Sequence, residues 1–172
     1  MQLRDVHIRR LTEEDCLEWI RLRLEALQNH PLAFGASLPE SDSQLGEIFR
    51  RRIQLQESVI VGAFLDSELI GICGVVRFEN EKERHKAMVV GMYVPARSRR
   101  KGIGRELLTA CIAQAKSWQG VELIHLTVSE VAIEARALYE KFGFTAWGQE
   151  TNALKFNDRY ADEFHMVLRI SP

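Results

Sequence analysis

Val94-Pro95-Ala96-Arg97-Ser98-Arg99-Arg100-Lys101-Gly102-Ile103-Gly104-Arg105 joins an apolar run to a segment with helical spacing. Five cations (Arg97, Arg99, Arg100, Lys101, Arg105) fall within nine residues, with no carboxylate before Glu106. Gly102 and Gly104 sit where the helix should begin. A helix start offers unpaired N–H groups and the positive end of the helix dipole. Glycines let an anion approach that backbone closely, and arginines add charge-assisted hydrogen bonds. Two readings stay open from this stretch alone: a phosphate or pyrophosphate site, or a basic turn on a solvated surface.

The flanking pattern places the turn in a larger order. Residues 6–10 alternate as a short strand. Thr12-Glu13-Glu14-Asp15 reads as a capping box with Asp in place of Glu or Gln, and Cys16, Trp19, Ile20, Leu24 and Leu27 follow at helical spacing. Pro31 and Gly35 break that helix, and residues 41–54 form a second, more polar one. Strands over 57–64 and 69–78, joined at Asp66-Ser67, predict a hairpin. Residues 79–84 are a charged loop and 85–94 a third strand. Helical spacing then covers 103–118, with Leu107, Leu108, Cys111, Ile112 and Ala115 on one face. Residues 121–128 are an apolar strand with a parallel neighbour, and 132–141 a short helix. Strands over 144–150 and 163–170 end the chain, with a long polar connection between them. The order β-α-α-β-β-β-α-β-α-β-β predicts a mixed sheet covered by helices, α/β or α+β in the broad sense.

Composition excludes several classes. The 172 residues suit one domain, residues 1–172. A hydrophobic content of 46% beside 27% charged residues is that of an ordinary globular protein. The net charge of −1 makes the basic run a local feature, which suits a small anion better than a nucleic acid. Cys16, Cys73 and Cys111 form no C-x-x-C pair and no zinc spacing, so no metal is expected. They read as buried apolar residues in a reducing compartment. Met1-Gln2-Leu3-Arg4-Asp5 is not a signal peptide, and no run approaches the roughly 18 apolar residues of a membrane span, so the expected location is the cytoplasm. A Rossmann fingerprint would need glycine where Leu107 stands, and the Gly-Lys-Ser/Thr ending of a Walker loop is absent.

Arg99-Arg100-Lys101-Gly102-Ile103-Gly104 fits Q/R-x-x-G-x-G/A, and residues 92–108 resemble motif A of the GCN5-related N-acetyltransferases. Further on, Ala135-Arg136-Ala137-Leu138-Tyr139-Glu140-Lys141-Phe142-Gly143-Phe144 resembles that family's second signature. The resemblance implies a mostly antiparallel sheet flanked by helices, and acetyl-coenzyme A as donor. It implies that backbone N–H groups of Arg99, Arg100, Lys101, Gly102, Ile103, Gly104 and Arg105 cradle the pyrophosphate, with Arg97, Arg99 or Arg100 as candidates for the ribose phosphate. It also implies that the strand before motif A splays from the strand after it, so that Met92 and Val94 pair with pantetheine. An N–H of Tyr93 or Val94 would then face the thioester oxygen. Tyr139 matches the family's general acid. Proton transfer from a phenol (pKa about 10) to a thiolate (about 8.5) is uphill by about 2 kcal/mol, which favours hydrogen-bond donation with late proton movement. The family often carries Asn where this chain has Ala132.

Amine acetylation needs the neutral amine. At pH 7 deprotonation costs roughly 4–5 kcal/mol for a lysine-like amine and about 1 kcal/mol for an α-amine. Many family members place Glu on the strand before motif A, but Ala87-Met88-Val89-Val90-Gly91-Met92 has no carboxylate. Glu130 is the candidate base, with His85 and His125 as further options. Phe34, Gly35, Tyr160 and Asp162 are candidates for the acceptor pocket, built from the first two helices, the loop between them and the last hairpin. The expected function is an N-acetyltransferase acting on a primary amine of a small molecule or peptide, by direct attack in a ternary complex. The alternatives are a catalytically weak acyl-coenzyme A-binding module and nucleic-acid binding through residues 97–105. Edge strands near the C-terminus allow a homodimer.

Overall fold

The computed structural model describes residues 6–39 and 41–170. Residues 1–5, which carry the signal-peptide reading, lie outside that range. The elements run β1 (Val6–Arg10), α1 (Cys16–Asn29), α2 (Asp42–Gln54), β2 (Ser58–Leu65), β3 (Glu68–Arg77), β4 (Lys86–Tyr93), α3 (Ile103–Ser117), β5 (Leu123–Ser129), α4 (Ile133–Lys141), β6 (Thr145–Phe156) and β7 (Arg159–Arg169). This is the order that the hydrophobic spacing predicts. The strands form one sheet in the order β1-β2-β3-β4-β5-β7-β6. Every neighbouring pair is antiparallel except β4 and β5.

Alternation along β2 and β3 fills both faces of the sheet. Val59, Val61, Ala63, Cys73 and Val75 point into one core with Leu107, Leu108 and Cys111 of α3. Ile60, Phe64 and Ile72 point into the other with Trp19 and Leu22 of α1 and Phe49 of α2. The cap before α1 forms as the sequence implies: the Thr12 N–H donates to Asp15 Oδ2 at 2.8 Å. Leu22 and Ala26 are buried beside the expected Trp19, Ile20 and Leu27, so α1 buries a wider face than its spacing announces. No helix among the described residues is long and apolar enough to cross a membrane.

Two features position the site. First, β4 and β5 pair only at Lys86, Ala87 and Met88 against Leu123, Ile124 and His125. Beyond Met88 the strands part. In β4, Gly91 has φ +61°, and the register against β3 shifts between Ile72 and Gly74, so β4 carries an extra residue there. Meanwhile β5 stays paired with β7 from Leu123 to Ser129. Second, the long polar connection expected near the C-terminus is instead most of a hairpin. β6 and β7 pair from Thr145↔Val167 to Phe156↔Arg159 around Asn157-Asp158. Both turn residues have positive φ (45° and 58°), as a tight hairpin turn requires. Tyr160 and Asp162 therefore lie within β7. The halves of these strands nearest the turn escape sequence reading because β6 is an edge strand whose residues are mostly exposed on both faces, which erases the alternation.

Phe49 is fully buried and packs against Trp19 with ring centroids 5.2 Å apart, fixing α2 on α1. Phe49→Ala is expected to cost about 3–5 kcal/mol of stability. Denaturant unfolding measures this, and a loss below about 1 kcal/mol would contradict the packing described.

Candidate active site

The basic turn is shaped by its backbone before its charges act. Pro95 is buried and cannot extend the β4 ladder, and Ala96–Ser98 form one tight turn. Arg100 and Gly102 then adopt left-handed conformations (φ 60° and 77°) and carry the chain into α3. The first intrahelical bond of α3 runs from Glu106 N–H to the Gly102 carbonyl at 3.1 Å. The N–H groups of Ile103, Gly104 and Arg105 therefore have no partner within the helix. The Arg99 N–H already donates to the Ala96 carbonyl.

Lys101 Nζ donates to the Arg97 carbonyl at 3.2 Å, and the four arginines divide into two groups. Arg97 donates to both Glu25 oxygens, at 3.1 and 3.2 Å, and lies 3.6 Å from Glu68. Arg99 donates from Nε to the Val94 carbonyl at 2.8 Å and meets His30 Nε2 at 3.0 Å. Tyr93 also donates to Glu25, at 3.0 Å. These side chains tie the turn to α1. Arg100 is 89% exposed and only loosely paired with Glu134 at 3.6 Å. Arg105 is exposed on the first turn of α3.

Tyr139, on α4, is buried against Phe144. Its hydroxyl donates to Met92 Sδ at 3.4 Å, so the phenol reaches a sulfur of the parted β4. Met92 also packs on the helix start, where a Cβ on Gly104 would lie 3.1 Å from Met92 Cε. Burial, with the neighbouring Cys73 and Cys111 thiols, holds the Tyr139 phenol well above its ordinary pKa. Ala132 precedes α4 and its N–H donates to the Ser129 carbonyl. The Ser129 hydroxyl is buried without a partner among the described residues, a polar atom that sequence reading did not single out.

The candidates on the acceptor side scatter. Glu130 accepts the Asp162 N–H at 2.9 Å and its own N–H donates to the Asp162 carbonyl, so it clamps β5 to β7. Asp162 accepts from Gln149 and from the Asn152 N–H, which holds the β6 bulge and keeps its carboxyl below the usual range. Tyr160 is exposed beneath Lys155. A Cβ on Gly35 would lie 3.9 Å from Leu154 Cδ2. Phe34 lies against Tyr93 and beneath Arg23. His125 meets Phe78 and Trp147 edge to face. It lines a broad concavity with Leu123, Thr145 and Val167, at the end of β5 away from the parting.

A second cavity, of about 390 Å³, lies between α1, the loop after it, α2 and the sheet, and reaches Val90 and Gly91 at the parting. The sequence reading put an acceptor pocket between these two helices, their loop and the last hairpin; the hairpin does not line this cavity. Neither do Phe34, Gly35, Tyr160 and Asp162. Arg23 and Arg52 do. Arg23 stands four residues after Trp19 and four before Leu27, in line with the apolar face of α1; that position was the available signal.

The fold is shared with known acetyltransferases. A putative acetyltransferase from Salmonella typhimurium, solved with its cofactor acetyl-CoA, superposes with a TM-score of 0.86 at 18% identity, covering 97% of this chain and 95% of that one. A phosphinothricin acetyltransferase from Sinorhizobium meliloti in complex with AcCoA gives 0.86 at 19% identity, over 97% and 89%. A ribosomal-protein-alanine N-acetyltransferase from Brucella melitensis gives 0.84 at 21% identity, over 95% and 99%. No protein of curated function matches the sequence significantly. The model of the acetyltransferase (GNAT) family matches residues 16–144, well over half of the chain, and the protein belongs to that family.

Proposed function

We propose that the protein transfers an acetyl group from acetyl-coenzyme A to a primary amine by direct attack in a ternary complex. The observation that carries this reading is the parting of β4 from β5 beside an unsatisfied helix start, with the Tyr139 hydroxyl on Met92 of the parted strand. The donor fits these residues. N–H groups from Arg100 to Arg105 would take the pyrophosphate, the Arg99 N–H being engaged already. Arg100 and Arg105 would supply mobile charge. Backbone groups of Met92 and Val94 would pair with pantetheine along the β4 edge left open by β5.

Each residue then has a limited task. The Tyr93 or Val94 N–H would stabilise negative charge developing on the thioester oxygen. The amine nitrogen attacks the thioester carbon, and the C–S bond breaks with its electron pair on sulfur. Tyr139 would donate a hydrogen bond to that sulfur. Burial makes this phenol a poorer acid than usual, so donation precedes any proton transfer. We assign Glu130 no proton transfer, since it already holds the Asp162 N–H; the amine would lose its proton to solvent. Relatives with this fold and different named acceptors, phosphinothricin and a ribosomal-protein alanine, leave the acceptor to be found from the pocket.

Tyr139→Phe keeps the packing and removes the hydroxyl. Turnover in a thiol-release assay is expected to fall roughly 10–100-fold, the range for one hydrogen bond to a developing charge. Acetyl-coenzyme A affinity by calorimetry should change by less than about twofold. Equal losses in both, or in neither, would remove the role assigned to Tyr139. The pH profile gives a second expectation. kcat/KM should rise through the acceptor's own pKa and stay level to about pH 10, because Tyr139 keeps its proton throughout. A falling limb below about pH 9 would contradict this.

A further inference from the structure

A buried cation without a counter-charge works against folding. This protein holds two half-buried arginines in one cavity. Arg23 Nη1 is buried and has no hydrogen-bond partner among the described residues. Its guanidinium rests on the Phe34 ring, 5.0 Å from the centroid, and no described carboxylate pairs with it. Arg52, from the last turn of α2, lines the same space. Burial, and then the charge of Arg52, lowers the Arg23 pKa to about 10, so Arg23 remains charged at neutral pH; burial lowers the Arg52 pKa too. The cavity wall contains no Asp or Glu among the described residues. Most other arginines of the chain that face α1 or the turn have carboxylate partners, Arg9, Arg21 and Arg97 among them.

Position gives this pair a use. Arg23 Nη1 lies 3.7 Å from where a Cβ on Gly91 would be. Gly91 is the bulged residue of β4 and precedes Met92, proposed above to hold the donor. An anion on Arg23 would therefore sit a short step from the reacting carbon. The volume of about 390 Å³ is that of a small-molecule pocket.

We propose that the acceptor is a small amine that carries an oxyanion (a carboxylate or a phosphonate-type group) bound by Arg23 and Arg52. This rests on the acetyltransferase reading and names the substrate class of that site. The oxyanion supplies the missing counter-charge, and a planar guanidinium can take it through two parallel hydrogen bonds. The described wall of the cavity carries no carboxylate to act as a base, so the amine would lose its proton to solvent. The two cations also repel polyamines.

The test is a thiol-release screen of the protein amino acids, each beside its carboxamide, with aminoalkylphosphonates and spermidine as further arms. At least one acid should be acetylated with kcat/KM roughly 10–100-fold above its amide. The carboxylate and phosphonate arms identify which oxyanion is used. In Arg23→Met the preference should shrink to within about twofold, through KM, with the acetyl-coenzyme A Kd unchanged. Arg52→Gln should show the same trend and serves if Arg23→Met does not fold. A higher rate for amides or spermidine overturns the proposal, as does a preference that survives both substitutions. Donor binding with no acid acetylated overturns it too. Failure of the unaltered protein to bind acetyl-coenzyme A is a different result and strikes the function proposed above.

Discussion

β4 and β5 are the one parallel pair in the sheet, and they hold together for only three residues each. A strand edge that loses its partner leaves backbone N–H and C=O groups to be satisfied elsewhere. Here the separation is built in from both sides. β4 is turned by the left-handed Gly91 and its bulge against β3, while β5 is held to β7 along its whole length. Neither strand can relax toward the other without breaking a longer antiparallel ladder. The opening receives the start of α3 through the turn after β4, and Met92 on the opened strand carries the contact to Tyr139. The donor site and the inner wall of the second cavity both follow from this one separation.

The turn after β4 looks like a uniform basic patch in sequence, but its cations do different work. Arg97 and Arg99 are struts: their partners are Glu25, Glu68, the Val94 carbonyl and His30. By fastening the turn to α1 they fix the left-handed Arg100 and Gly102, and with them the direction of the free N–H groups of α3. Arg100 and Arg105 remain on the outside, where a phosphate could recruit them. Counting charges would have given all five the same role. Within the run, Arg97 is the cation closely paired with carboxylates among the described residues.

Much of the fold was legible because its central elements are buried in regular patterns. The helix face of Leu107, Leu108 and Cys111 and the apolar β5 appear where spacing puts them. Two parts were not legible. The turn half of the β6–β7 hairpin is an edge element with few buried side chains, so its polar residues look like a loop until pairing is seen. Arg23 is not legible because a charged residue near a helix face is ordinarily solvated; packing by α2 and the loop after α1 half-buries it. The donor side was readable because glycines and a proline there answer backbone geometry. The acceptor side depends on which side chains face a cavity made by three separate segments, and local sequence does not encode that.

Calorimetric titration with acetyl-coenzyme A, beside NADH and a short DNA duplex, decides whether the opening between β4 and β5 is a donor site. Saturable binding of one acetyl-coenzyme A per chain in the micromolar range, with neither of the other two bound, is the expected result. No heat and no saturation with acetyl-coenzyme A at high micromolar concentration would mean that the opened strands and the free helix start serve another purpose, and the acetyltransferase reading of this chain would fall.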